Sequence, residues 1–341
     1  MNLNIVSKYR NEIYGFAILW VVVFHGTAIN SIDYSFGNPV LMPLQSFLSV
    51  GNVGVDIFLF MSGICLYYSF VKNNDLYQFS KKRLLRIIPP VVLVYGIYWI
   101  IRYGVIAGDS AGLISRFLLL RFWLTGDQTV YYASLVLLLY FLYPYIYNCL
   151  FSGRHSGLRM AILMLVAYST VIVISLVAPK WYSLTEIALT RIPVFIFGSY
   201  FGKMVYEGKV VNRYIGLLAI AGSLAFLVLI NLGILHGSAK RFFYLFGGVS
   251  LSYTLAIILH VIASHGIKGE GAVRRALSFA GTISFELYLA HIMCNQVLRL
   301  LPIYKEGDLA QYAVVAMIAL LVAIISGKLS TKIRDKAMSA I

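Results

Sequence analysis

The sequence predicts an all-α, polytopic integral membrane protein of about ten transmembrane helices. Hydrophobic residues make up 60% of the 341 positions, charged residues only 12%, and the mean hydropathy is +0.83. A soluble domain carries about 25% charged residues, so the missing charge indicates a non-aqueous solvent. Apolar stretches of roughly 20 residues, each long enough to cross a bilayer, recur along the whole chain.

The first apolar run predicts a membrane helix rather than a signal peptide, because it continues past Trp20 and no small-residue cleavage site closes it. Ten helices are predicted, near Ile13–Ile29, Val53–Phe70, Ile87–Tyr103, Tyr131–Leu150, Met160–Ala178, Pro193–Val205, Ile215–Leu235, Phe242–Val261, Leu277–Leu300 and Ala310–Ile325. Leu41–Val50 is too short to cross and is predicted to cap the second helix. Leu113–Trp123 is predicted as a short helix in the interface. No linker or repeat divides the chain, so a single domain over residues 1–341 is predicted.

Lysine and arginine are distributed unevenly between alternate loops. With the N-terminus inside, 19 of the 28 basic residues fall in cytoplasmic segments and eight in outer segments. By the positive-inside rule, this excess predicts both termini in the cytoplasm and an even number of crossings. The same distribution accounts for the net charge of +15. The apolar stretches predict a multi-pass protein of the cell membrane, in contact with lipid, and the basic loops are explained without a nucleic-acid partner.

The three cysteines, Cys65, Cys149 and Cys294, all lie in apolar runs without the spacing of metal ligands. Such residues are typically small buried hydrophobic side chains. Neither a disulfide framework nor a metal site is predicted.

Ionisable side chains inside a bilayer are costly and usually functional, although some only join helices. By a rise of about 1.5 Å per residue, His25 lies about 18 Å and His291 about 21 Å from the cytoplasmic ends of their helices. Asp56 is predicted at a similar depth, near the outer end of the second helix. A neutral imidazole can take a hydroxyl proton, so His25 is the candidate general base, with Asp56 as its orienting or electrostatic partner. The alternatives are hydrogen bonds between helices for the histidines and an ion pair with Arg191 for Asp56.

The segment KKRLLRIIPP, residues 81–90, is predicted to begin the third helix at the cytoplasmic surface. Arg83 and Arg86 share one face there, and two guanidinium groups suit phosphate oxygens. The alternative is a positive-inside anchor. If the pair holds the phosphates of coenzyme A, an extended pantetheine arm of roughly 15–20 Å would reach towards His25. A thioester is a good acyl donor, so the protein need only deprotonate the acceptor and stabilise an oxyanion.

Six segments resemble acyltransferase family 3, the ten-helix membrane acyltransferases that modify surface glycans and other acceptors. In chain order they are GFAILWVVVFH (15–25), GVDIFLFMSGICL (54–66), FSKKRLLRIIPP (79–90), YYASLVLLLYFLYP (131–144), RIPVFIFG (191–198) and ISFELYLAH (283–291). The resemblance spans residues 10 to about 295. It implies that His25 is the catalytic base and that Arg83 and Arg86 bind the donor or shape its pocket.

The resemblance also assigns Asp56 to the Gly-Val-Asp-x-Phe motif and His291 to the terminal Tyr-Leu-x-His motif. The chain departs from the family at one position. Many members carry arginine or lysine eleven residues before the catalytic histidine, and here that residue is Tyr14. Arg10, one turn earlier, is the candidate substitute.

The residues and the resemblance together predict a membrane O-acyltransferase that moves acetyl from acetyl-CoA to a cell-surface or lipid-linked polysaccharide. Tyr131, Tyr132 and Ser134, at the outer mouth of the fourth helix, are candidate acceptor-binding residues, together with Arg191 and His291. Aromatic belts and core packing explain most of the other aromatic residues. The alternative function is a transporter or flippase, although the sequence lacks the internal repeats and midplane helix breaks that transporters often show.

Overall fold

The structure is a computed structural model that describes residues 2–235, 239–265 and 270–339. These residues form 17 α-helices and no β-strand. The helices are α1 (Asn4–Lys8), α2 (Arg10–Asn30), α3 (Met42–Leu48), α4 (Gly54–Lys72), α5 (Leu76–Trp99), α6 (Ser110–Phe117), α7 (Arg121–Thr125), α8 (Tyr131–Phe151), α9 (Ser156–Val177), α10 (Pro179–Leu189), α11 (Ile192–Tyr206), α12 (Arg213–Asn231), α13 (Ala239–Phe242), α14 (Tyr244–His265), α15 (Glu270–Thr282), α16 (Ser284–Leu300) and α17 (Leu309–Ser339). Lys268, which was part of the count of basic residues, and the last two residues lie outside the described part.

Nine helical segments in the described part of the chain are long and apolar enough to cross a bilayer, and a tenth is counted if α15 and α16 form one span. The prediction of an all-α membrane protein with about ten crossings is therefore confirmed. The orientation of the termini stays a prediction.

The third span begins earlier than predicted. α5 starts at Leu76, about three turns before Ile87, because the Asp75 side chain caps it by accepting the backbone N–H groups of Tyr77 and Gln78 at 2.8 and 3.2 Å. A π-helical stretch then extends the helix from Ile100 to Ile106. The two arginines of the KKRLLR segment consequently lie within the helix rather than at its first turn.

The ninth predicted span, Leu277–Leu300, is two helices in the structure. α15 ends at Thr282 and α16 begins at Ser284. α15 packs so closely on α2 that a Cβ added at Gly15 or Gly281 would overlap the backbone of the other helix. The apolar run continues through the break, so hydropathy alone predicted one helix.

The two short predicted segments are also helical. α3 occupies the stretch predicted to cap the second span, and the predicted interfacial helix Leu113–Trp123 is split between α6 and α7. Arg116 of α6 is only 6% exposed, so it does not face an aqueous surface as an interfacial arginine would. α1, α10 and α13 were not predicted.

The chain forms two compact units, each assembled from three separate segments. Unit 1 comprises Met1–Asn73, Pro144–Val173 and Leu189–Thr282, and unit 2 comprises Asn74–Tyr143, Ile174–Ala188 and Ile283–Ile341. In unit 1, α4 packs on α11 and α2 packs on α15, whereas in unit 2, α16 and α5 both pack on α17 and on each other. The single domain stays a prediction.

Glycines allow the close contact between α4 and α11 in unit 1. A Cβ added at Gly63 would overlap the carbonyl group of Phe195, and one added at Gly198 would overlap that of Phe60. Gly198 and Gly202 have the GxxxG spacing that lets two helix backbones approach in a membrane. The backbone contact therefore depends on the absence of side chains at these positions.

We expect Gly198→Ala to destabilise the protein by about 1–3 kcal/mol, because the added methyl group overpacks the contact between α4 and α11. Gly222→Ala is the matched control. It adds the same methyl group in helix α12, where the nearest atom would be Cβ of Ser250 at 3.8 Å. Thermal unfolding of both variants in detergent measures the difference. A Gly198→Ala variant as stable as the control would contradict the packing described here.

Candidate active site

Asp56 and Arg191 form a buried ion pair in unit 1. The Nε of Arg191 donates to both carboxylate oxygens of Asp56, at 3.1 and 3.2 Å. The two side chains are 0% and 1% exposed. Asp56 lies in the first turn of α4, and Arg191 directly precedes α11. The structure thus contains the ion pair that the sequence offered as the alternative for Asp56.

Asn52 and Tyr244 hold the same guanidinium group. Its Nη2 donates to the carbonyl oxygen of Asn52 at 3.3 Å, and its central carbon lies 4.9 Å from the ring centroid of Tyr244. The Nδ2 of Asn52 donates to the Tyr244 hydroxyl at 2.7 Å. A Cβ added at Gly248 would lie 2.8 Å from Cβ of Asp56, so α14 packs directly against the residue. Asp56 and Arg191 therefore belong to a packed network that joins α4, α11 and α14.

His25 lies near the end of α2 and is half-buried, with its ring centroid 5.1 Å from that of Phe24. Gly51 packs against Phe24, so the neighbouring Asn52 lies at the level of this end of α2. Asp56 follows four residues later, about 6 Å further along by the helical rise. Asn52 is thus closer in level to His25 than Asp56 is. The roles of His25 as base and of Asp56 as its partner stay predictions.

Tyr14 occupies the position where many family members have a basic residue. Its ring stacks on Phe58 with the centroids 5.5 Å apart, and its hydroxyl lies 3.9 Å from Sγ of Cys65. Arg10, the candidate substitute, is exposed at the start of α2. At this position the chain therefore has an aromatic side chain packed on Phe58, whereas many family members have a basic side chain.

The two arginines of α5, in unit 2, have different surroundings. Arg86 Nη1 lies 3.5 Å from Oε1 of Glu286, and the side chains are 35% and 2% exposed. The guanidinium carbon of Arg83 lies 5.3 and 5.5 Å from the ring centroids of Phe79 and Tyr140. The buried Nε of Arg83 has no hydrogen-bond partner among the residues described. Each guanidinium is thus oriented by its own contacts.

Glu286 is a candidate site residue that the sequence analysis missed. It lies in the first turn of α16, and its Oε1 accepts from the Ser330 hydroxyl at 3.5 Å in addition to its pairing with Arg86. Its Oε2 is buried and has no hydrogen-bond partner within the described ranges. The sequence does contain a signal for Glu286, which is a carboxylate in an apolar run five residues before His291. An acidic residue inside a membrane helix is a functional candidate by default.

His291 is 1% exposed in the middle of α16. Its Nδ1 lies 2.9 Å from the carbonyl oxygen of Leu287. A carbonyl oxygen can only accept, so Nδ1 carries the hydrogen, and Nε2 is the accepting nitrogen of the neutral ring. Any base or acceptor function of His291 would use Nε2, and its predicted contact with substrate stays a prediction.

Tyr131 and Tyr132 are buried at the start of α8, with 8% and 7% exposure. The ring of Tyr132 lies 5.3 Å from that of Tyr288, whose hydroxyl accepts the Tyr132 backbone N–H at 3.4 Å. Tyr131 packs against Phe122 at 5.9 Å. These rings are packed as core residues, whereas Ser134 lines a recess. Acceptor binding by the three residues stays a prediction.

We expect removal of either partner of the Asp56–Arg191 pair to destabilise the protein by about 3–5 kcal/mol, because an uncompensated buried charge remains. The double variant Asp56→Asn/Arg191→Gln should lose less stability than the sum of the single variants. The half-exposed pair Lys203–Glu207, at 3.8 Å, is the control and should contribute about 0–1 kcal/mol. Additive losses in thermal unfolding would contradict the ion pair.

Comparison with known families identifies the chain. The family model of acyltransferase family 3, described as an acyltransferase domain, matches residues 15–328. Comparisons with curated proteins and with solved structures find no match. The matched range runs from α2 into α17 and includes His25, the α5 arginines and the polar residues of α16. The chain therefore belongs to acyltransferase family 3 and is a multi-pass membrane acyltransferase.

Proposed function

We propose that this acyltransferase transfers acetyl from acetyl-CoA to a hydroxyl group of a cell-surface or lipid-linked polysaccharide. It acts in the cell membrane with both termini in the cytoplasm. The observation that carries the donor class is the arrangement around Arg83 and Arg86, where a buried carboxylate and two aromatic rings orient two guanidinium groups within three residues of one helix.

Guanidinium groups form strong charge-assisted hydrogen bonds with phosphate oxygens. Arg86 is accessible, with 35% of its side chain exposed. Arg83 lines a shallow surface recess together with Ser80 and Tyr140. These features support binding of an anionic donor along the first half of α5, as a nucleotide thioester such as acetyl-CoA would require.

Glu286 has two effects on this donor site. Oε1 keeps the Arg86 guanidinium in one place, so less side-chain freedom is lost when a phosphate binds. The buried Oε2 is an acceptor that a hydrogen-bond donor of the ligand, such as a pantetheine amide N–H, would satisfy. We therefore add Glu286 to the donor-binding residues as a positioning residue.

His25 serves as the general base for the transfer. Its imidazole takes the proton of the acceptor hydroxyl while the hydroxyl oxygen attacks the thioester carbonyl carbon. The new C–O ester bond forms as the C–S bond breaks, and the CoA sulfur leaves as a thiolate that recovers a proton. The half-buried position of His25 near the end of a membrane helix supports this role, because a base must be reachable by its substrate.

We expect His25→Ala to lower acetyl transfer from radiolabelled acetyl-CoA by about 10²–10⁴-fold, the usual contribution of general base catalysis. His260→Ala is the matched control, because His260 is another half-buried histidine of unit 1, in α14. The control should retain activity, and both variants should unfold at the wild-type temperature. Normal transfer by a folded His25→Ala variant would refute His25 as the base.

We expect Glu286→Gln, Arg83→Lys and Arg86→Lys to raise the KM for acetyl-CoA by about five- to thirtyfold, because each weakens a charge-assisted contact by about 1–2 kcal/mol. The value of kcat should change less. Glu12→Gln is the control, since Glu12 is a buried glutamate paired with Arg274 at 3.5 Å in unit 1. If the three variants keep the wild-type KM, the arginine pair is only a topological anchor.

A further inference from the structure

A second polar site lies at the other end of α5 within unit 2. It is a narrow recess between α5, α6, α7 and the start of α8, and its polar lining residues are Arg116, Arg121, Asp127, Thr129 and Ser134. Trp99, at the end of α5, forms part of the wall. Trp99 lies thirteen residues after Arg86 in α5, so the helical rise places the recess about 20 Å from Arg86 along this helix.

The charge of Arg116 is already compensated. Its Nη2 lies 3.1 Å from Oδ2 of Asp127, and its Nη1 donates to the carbonyl oxygen of Gly112 at 3.1 Å. Its guanidinium carbon lies 3.4 Å from the ring centroid of Tyr103. Arg116 and Asp127 therefore form a neutral pair that builds the recess.

Arg121 is different. Its Nε is buried and has no hydrogen-bond partner in the part of the chain that the structure describes, and no carboxylate there forms an ion pair with it. Because Asp127 is taken by Arg116, the recess carries one uncompensated positive charge. Arg121 is half-buried, and leaving its buried Nε without a hydrogen-bond partner costs free energy, so this position favours an anionic ligand that accepts from Nε.

An unused acceptor lies beside the recess. Nε2 of Gln296, in α16, donates to the hydroxyl of Thr129 at 3.0 Å. With the amide in this orientation, Oε1 of Gln296 is buried and has no hydrogen-bond partner among residues 2–235, 239–265 and 270–339. The site therefore offers a cationic donor and a neutral acceptor, which match an anionic group with a neighbouring hydroxyl.

We propose that this recess binds the carboxylate of an acidic saccharide, with Arg121 as the anion-binding residue and Gln296 accepting a hydroxyl of the same sugar. The assignment rests on the proposed function, since the saccharide acceptor is itself part of that proposal. The free space inside the recess is about 10 Å³, roughly enough for one water-sized group. The recess thus takes one small charged substituent rather than enclosing a whole glycan chain.

Binding can be measured without an acyl donor by titrating the full chain in detergent calorimetrically. The probes are a glucuronate-containing oligosaccharide and the same oligosaccharide with its carboxyl groups reduced to alcohols. We expect the wild type to bind the acidic probe about tenfold more tightly, as a charge-assisted hydrogen bond predicts. Arg121→Gln should remove this preference. Arg102→Gln, which removes an exposed arginine from the same unit, should retain it.

If Arg121→Gln does not fold, Arg121→Lys is the substitute variant. It keeps the positive charge but loses the buried Nε donor, so it should reduce the preference for the acidic probe. Equal binding of both probes by the wild type, or equal effects of Arg121→Gln and Arg102→Gln, would overturn the proposal. The proposal also fails if Arg121→Gln changes only the binding of phosphatidylglycerol in nanodiscs, because the anion is then a lipid phosphate.

Measuring the release of CoA from acetyl-CoA distinguishes a failure of the recess proposal from a failure of the acetyltransferase proposal. Transfer to neutral saccharides without preferential binding of the acidic probe would refute the recess assignment and leave the transferase proposal standing. Preferential binding that depends on Arg121, without any acetyl transfer, would support the recess and refute the acetyltransferase.

Discussion

The buried ion pair between Asp56 and Arg191 is the interaction on which unit 1 depends. Two charges with almost no exposure are tolerated in apolar surroundings only when they are paired and further hydrogen-bonded. The pair meets this condition by holding Asn52 and Tyr244 at the same guanidinium group. Three helices consequently meet at one point. Through Asn52, the network extends to the level of the α2 end that carries His25.

Buried polar groups in unit 2 also need partners, but there the partners are incomplete. Its central helix, α16, has polar side chains near both ends, where Glu286 pairs with Arg86 and Gln296 donates to Thr129. In each case one side-chain oxygen is left buried without a partner in the described part of the chain. Buried polar atoms are nearly always bonded, and departures from such rules concentrate at functional sites. The two ends of α16 are therefore where we expect ligands to complete the hydrogen bonding.

The candidate site was only partly predictable. Intramembrane charge pointed directly to Asp56 and Arg191, because such residues are rare and stand out in apolar runs. Glu286 satisfies the same rule but was not predicted, because the motif that contains it is defined by the histidine five residues later. The burial of Tyr131 and Tyr132 was not predictable, because an aromatic residue at a helix end fits an exposed belt and a packed core equally well.

The sequence by itself determined the membrane character, the positions of most helices and the family, because hydropathy and motif order are properties of local runs of residues. Only the tertiary structure decided the break near Ile283, which lies in a continuous apolar run, and the partners of the buried charges. Asp56 and Arg191 are 135 residues apart in the chain. Their pairing depends on which faces of α4 and α11 meet, and the close approach of these helices at Gly63 and Gly198 is a tertiary contact rather than a local pattern.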